Sequence, residues 1–172
     1  AVAAHDKGHF EDAASLLVYL FKLPFARPEP MVLVYYSVDF LPADADPWKL
    51  NVAPDLFERQ MACVAERKIP CLVSFDDGFS GVYTHAFPIL RKYGLRGVLF
   101  VTTDYLDGKM SFDRYFKTPH APRPLNWSQV RELASEGMEI GSHAATHARM
   151  TSLDDAKALE EARSSRERIR EM

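Results

Sequence analysis

From Met31 onward, apolar runs of strand length alternate with stretches of helical period. Met31 to Ser37 is a continuous apolar run, and Pro42 to Pro47, with its Asp and Ala residues, reads as a loop. Pro54 suits the first turn of a helix reaching about Lys68, in which Phe57, Met61 and Val64 share a face. Cys71 to Phe75 is a short buried strand. A helical stretch after Gly78 reaches Tyr93, with Pro88 near the start of its regular part and Gly94 fit to close it in a left-handed conformation. Gly97 to Thr102 is the next strand, and the Pro-containing segment 103–125 is loop-like, a lid or a surface wrap. Asn126 with Gln129 forms a capping-box pattern for a helix to about Glu136; Met138 to Ser142 is a strand; Ser152 is placed to cap a long charged helix. Four strand–helix alternations predict an α/β fold with a parallel sheet, whose chemistry belongs at the C-terminal strand ends.

Residues 1–30 differ from this domain. Ala13, Leu16, Leu17 and Leu20 can share one side of a helix, and Pro24, Pro28 and Pro30 follow as an extended connector. We expect a helical extension or linker over 1–30 and a domain over 31–172. The apolar run Leu16 to Phe21 is interrupted by Lys22 and is far short of the roughly 20 residues of a membrane span, so no transmembrane helix is expected. Because residue 1 is Ala, a removed leader or an upstream domain stays open.

With 172 residues, 47% of them hydrophobic, the chain can bury a real core, and a net charge of -3 argues against nucleic acid or an anionic membrane as partner. Cys63 and Cys71 lack a C-x-x-C spacing and read as buried, reduced, small apolar groups.

The candidate chemistry sits where two strands stop. Ser74-Phe75-Asp76-Asp77-Gly78 ends one strand, and His143-Ala144-Ala145-Thr146-His147 follows another. Two imidazoles and a carboxylate are a ligand set for a borderline divalent metal, and a second carboxylate beside them can act as a base. Adjacent aspartates leaving a strand point in different directions, so they can divide those roles. Each element also has a plain structural reading: Asp-Asp-Gly as a solvated turn, and the histidines as one buried and one surface residue. The i, i+4 spacing would place both rings on one side of a helical turn, yet His5 and His9 share it within a polar stretch. His85 and His120 read as structural or solvent-facing, Arg163, Arg166, Arg168 and Arg170 as a solvated helix face, and Trp127 either as core or as a platform for a sugar face.

The two elements together resemble the polysaccharide deacetylase family, the NodB-homology carbohydrate esterases. Val73 to Phe79 resembles its first motif and Glu139 to His147 its second, with Thr84 to Leu90, Val98 to Val101 and Asn126 to Gln129 following the family's run between them. The likeness covers about residues 31–172 and implies a parallel (β/α) barrel-like fold. It implies that Asp77, His143 and His147 hold a metal, most naturally Zn, and that Asp76 is the catalytic base. The implied reaction is removal of N-acetyl groups from an N-acetylhexosamine polysaccharide, with poly-N-acetylglucosamine the nearest subclass and an extracytoplasmic or cell-envelope setting.

Some features depart from the family pattern. Ala144 stands where a hydroxyl residue usually follows the first histidine, and Tyr35-Tyr36 where Tyr-His is common. Ile69-Pro70 follows Lys68 where relatives insert a strand and a helix, which raises the question of missing residues there. The family's later motifs, carrying an arginine, part of the substrate groove and a general-acid histidine, have no match before Met172, and the barrel is expected to be incomplete. A general acid is worth about 10²–10⁴ in rate, so these residues alone are expected to be poorly active. A carbohydrate-binding or scaffolding domain that keeps the metal ligands is the alternative reading; a 2-His-1-carboxylate iron oxygenase shares the ligand types but not the strand–helix order or the second aspartate.

Overall fold

The computed structural model describes residues 31–172 apart from Ala43 and Thr118. The expected N-terminal helix and the His5/His9 pair lie outside the described residues. Four parallel strands form one sheet in the order β1 (Met31–Tyr35), β4 (Cys71–Phe75), β5 (Gly97–Val101), β6 (Glu139–Ser142), and β2 (Ser37–Val38) pairs with β3 (Asn51–Val52) in a small parallel ladder. Among the described residues the main sheet is an open, incomplete barrel, with β1 and β6 at its edges.

The helices are α1 (Pro54–Glu66), α2 (Phe87–Lys92), α3 (Thr103–Leu106), α4 (Trp127–Ser135) and α5 (Asp155–Arg170). In α1, Pro54 sits in the first turn, where its missing N–H costs nothing, and Phe57, Met61 and Val64 recur on one buried face. Gln60 lies on that face too, and its side-chain oxygen accepts the Tyr35 hydroxyl at 2.8 Å, so the buried amide is not left unpaired. The helix closes through Lys68 at φ 50°, and β4 starts at once; β1 and β4 pair along their full length from Met31↔Cys71 to Tyr35↔Phe75. No strand position is left between them.

One sheet face is buried under the helices. Tyr35, Val73, Phe75, Leu99 and Val101 meet residues such as Phe57, Leu90, Val130 and Leu133 in a single core. On the opposite face of β1 and β4, Val32, Val34 and Leu72 are exposed. The expected helix after Gly78 begins as a π-helical turn, Val82–Ala86, before α2. Gly81 there lies against β2: a Cβ on it would stand 2.3 Å from the Val38 carbonyl oxygen. Asn126 and Gln129 form the expected capping box, with both reciprocal bonds made.

Three expectations are corrected. Segment 103–125 is not simply loop-like, because it contains α3 and a 3-10 turn, Asp113–Tyr115, and buries Tyr105, Phe112, Phe116 and Leu125. Phe79 is the hub that holds it, with Tyr105, Phe112 and Phe116 at ring distances of 5.6, 5.6 and 5.7 Å. The long C-terminal helix is capped by Asp154, which accepts from the Lys157 N–H, and not by Ser152, which lies in a 3-10 turn upstream. Arg168 is not part of a solvated face: it grips Asp107 with paired bonds of 2.9–3.2 Å and holds that carboxyl down to about 2.

Replacing Phe79 by Ala should cost about 3–5 kcal/mol of stability in urea unfolding, because its ring is fully buried among three others. A loss below about 1 kcal/mol would contradict the packing of 103–125 described here.

Candidate metal centre

The C-terminal ends of β4 and β6 deliver the two motifs to the same rim. After Phe75 the chain turns within three residues, with the Gly78 N–H donating to the Asp76 carbonyl at 2.9 Å around Asp77 at φ 72°, a value characteristic of the rare, strained γ-turn. A non-glycine residue holds this conformation only where its surroundings over-determine it. Here the Asp76 N–H donates to the Tyr35 carbonyl, the Thr102 N–H to that of Asp77 and the Leu125 N–H to that of Gly78. Gly78 is required on two counts: its φ is 97°, and a Cβ would stand 2.7 Å from Leu106 Cδ1.

The turn points the Asp77 carboxylate inward. The residue is 4% exposed, and its Oδ1 is buried with no hydrogen-bond partner. That oxygen lies 3.5 Å from His143 Nε2 and 3.5 Å from His147 Nε2. The histidines reach it from a loop and not from a helical turn, which corrects the expected geometry: Ala144 and His147 both have positive φ, 64° and 56°. The His143 N–H continues the β5 ladder by donating to the Val101 carbonyl, and the two imidazoles lie 5.1 Å apart. Phe112 stands edge-on to His147 at 5.1 Å and fixes the second ring from behind.

A buried carboxylate oxygen with no donor is costly unless a cation meets it. The three ligand atoms lie within 4.8 Å of one another. Ligands about 2.0–2.1 Å from a tetrahedral zinc stand roughly 3.3 Å apart, so the two 3.5 Å separations fit a shared ion with small adjustments. The donor set of two neutral imidazoles and a carboxylate is also right for a borderline metal.

The electrostatics agree. Burial, reinforced by the neighbouring Asp76, raises Asp77 to about 7, while burial and the charges of His143 and Arg114 lower His147. Without metal, burial thus biases Asp77 towards its protonated form and His147 towards its neutral form, away from an ion pair. Asp76 is half-buried next door; desolvation raises it and His143 partly offsets this.

Comparison with known proteins points the same way. Residues 64–172 match the family described as polysaccharide deacetylase. The chain belongs to the polysaccharide deacetylase family. YxkH of Bacillus subtilis (strain 168), named for the same family, is 29% identical over 82 residues, which cover 48% of this chain and 25% of YxkH. The match thus spans about a quarter of that relative's length. Two solved structures share the fold at 19% identity: the deacetylase PplD of Streptococcus pyogenes in complex with acetate, with a TM-score of 0.64 over 82% of this chain and 69% of PplD, and IcaB of Ammonifex degensii, with 0.59 over 83% and 69%.

Around the centre, this deacetylase-family domain opens a cleft of about 750 Å³ lined by His143, His147, Arg114, Tyr115, Arg149 and Met150. Of the Tyr35-Tyr36 pair, Tyr35 is core and Tyr36 feels both aspartates, since after burial their charges raise its hydroxyl. Trp127 is tied down elsewhere: its Nε1 donates to Asp107 at 2.7 Å and the Arg168 guanidinium covers its ring at 4.3 Å. Among the described residues the metal-competent cluster contains no other histidine; His85 stands 3.5 Å from Asp39 and His120 is exposed. Cys63 and Cys71 are free thiols, as expected, but only partly buried where full burial was expected. Sequence reasoning missed Phe112, Arg114 and Tyr115, whose only signal was their position in a segment read as loop, and Arg149, which follows the second motif.

The raised Asp77 gives a test by linkage. Folding binds a proton at Asp77 between its ordinary carboxylate value and about 7, so this group's contribution to metal-free stability falls as pH rises through that window. Zinc must displace the proton, so binding at pH 6 should release at least about one proton, read by calorimetry in buffers of different ionisation enthalpy. Release close to zero would contradict the desolvated, protonated acid.

Proposed function

We propose that this domain carries the catalytic centre of a metal-dependent deacetylase that removes N-acetyl groups from an N-acetylhexosamine-containing polysaccharide. The observation that carries this reading is the buried, unpartnered Asp77 Oδ1 facing two imidazole nitrogens at 3.5 Å, with a second aspartate adjacent in sequence. Membership of the polysaccharide deacetylase family supports the substrate class. The acetate in the PplD structure, which shares this fold, is the product such a reaction would release.

Asp77, His143 and His147 would hold the ion, with zinc the natural fit for the donor set. When bound, a divalent metal supplies Lewis-acid polarisation of the acetamide carbonyl and makes water a stronger nucleophile at neutral pH. Asp76 takes a proton from the water as its oxygen bonds to the acetamide carbon. The C–N bond then breaks, and the same carboxylic acid can return its proton to the departing nitrogen, leaving acetate and a free amine. Division of labour between the aspartates follows from the turn: Asp77 is buried and faces the imidazoles, while Asp76 stays partly exposed beside it. Tyr115 and the arginines of the cleft offer the sugar an aromatic edge and hydrogen-bond donors.

Asp76→Asn should lower acetate release from acetylated chito-oligomers by at least about 10²-fold while zinc stays bound, whereas Asp77→Ala should release the metal. Acetate release that survives Asp76→Asn would overturn the assignment of the base. Sugar binding without any acetate release by the unaltered protein, together with affinity untouched by Asp76→Asn, would favour a carbohydrate-binding scaffold instead.

A further inference from the structure

We propose that Glu161, on α5, is a positioning residue of the metal centre: its carboxylate locks the loop that presents His147, and so sets how tightly the metal is held. This rests on the reading of Asp77, His143 and His147 as metal ligands. The loop from His143 to His147 is five residues long and carries two left-handed non-glycine residues, Ala144 and His147. Such residues cost about 1–2 kcal/mol each and relax unless something external holds them.

Glu161 supplies much of that hold. Its Oε2 accepts the Ala145 N–H at 3.0 Å and the Thr146 N–H at 2.9 Å, and its Oε1 accepts the Thr146 hydroxyl at 2.7 Å. Three donors from two consecutive residues thus converge on one carboxylate, directly before His147. The N–H of the residue before these two, Ala144, goes to Ser142 Oγ at 3.1 Å, and that oxygen is 2.6 Å from Ser165 Oγ. Ser165 is fully buried and lies one helical turn from Glu161, so a single face of α5 grips both ends of the loop. From the other side, the Thr103 and Asp104 N–H groups donate to the Ala144 and Ala145 carbonyls. The backbone of Ala144 and Ala145 is therefore held on both its donor and its acceptor sides. Ala144 has no hydroxyl with which to brace the loop itself, and the brace comes instead from a carboxylate sixteen residues beyond Ala145.

The carboxylate's hydrogen bonds to Thr146 and Ala145 outweigh its desolvation and keep it ionised, which strengthens all three bonds. Among the described residues Glu161 bonds only to the loop's backbone and to the Thr146 hydroxyl, so it acts through His147 and not on substrate. Supporting groups of this kind typically change metal affinity by about 10–100-fold.

The test is zinc affinity by chelator competition, with metal-free melting measured in parallel. Glu161→Ala should raise the zinc Kd by about 10–100-fold, and Glu161→Gln should recover part of this, because its carbonyl oxygen still accepts two N–H groups while its amide donates to the Thr146 hydroxyl. Failure of the unaltered protein to bind zinc would sink the metal reading itself. Tight binding by the unaltered protein with a Kd unchanged within twofold in Glu161→Ala would overturn the positioning role alone, and a lowered metal-free melting temperature with that unchanged Kd would mark Glu161 as a brace for α5 only. Should Glu161→Ala not fold, Thr146→Val removes one of the three bonds: a Kd raised a few-fold supports the proposal, and an unchanged Kd overturns it.

Discussion

A carboxylate oxygen that is buried, has no donor and faces two imidazole nitrogens is the interaction around which the rim of this domain is organised. Desolvation makes an anion at Asp77 expensive, and among the described residues no lysine or arginine pairs with it; a cation shared with His143 and His147 would resolve that cost. The strained turn at Asp77 faces this side chain towards the two imidazoles. Three backbone hydrogen bonds from β1, the end of β5 and Leu125 secure it.

The parallel sheet makes that convergence possible. Asp77 and the two histidines are far apart in sequence, but β4, β5 and β6 are adjacent and parallel, so the residues following Phe75, Val101 and Ser142 emerge at one rim. The segment 103–125 and α5 then close around that rim from outside. Phe79 anchors the first through its aromatic cluster and sets Phe112 against His147; α5 grips the histidine loop through Glu161 and Ser165. Two elements remote from the strand ends thus determine the positions of groups at the centre.

Much of this was legible from local pattern. Strand runs at β1, β4, β5 and β6, the proline start of α1 and the Asn126/Gln129 box rely on short-range chemistry that the residues declare themselves. The motifs at Asp76-Asp77 and His143/His147 were legible as well, because ligand types and their place after strands coincide. What escaped was non-local. The aromatic residues of 103–125 have no helical or strand period, so their burial around Phe79 was invisible, and with it the cleft position of Arg114 and Tyr115. An i, i+4 histidine pair suggests a helix, yet here left-handed residues bring the rings together, a conformation that depends on Glu161 sixteen residues past Ala145. Arg168 likewise looked solvated because its partner, Asp107, is 61 positions away.

The central claim is that the buried Asp77 oxygen and the two facing nitrogens share one metal ion. Anomalous diffraction from zinc-loaded crystals of the untagged protein tests it most directly. A single strong peak is expected about 2.0–2.2 Å from an Asp77 carboxylate oxygen and from Nε2 of His143 and His147. Zinc bound elsewhere with this cluster empty, or Asp77 paired with a protein cation instead, would contradict it.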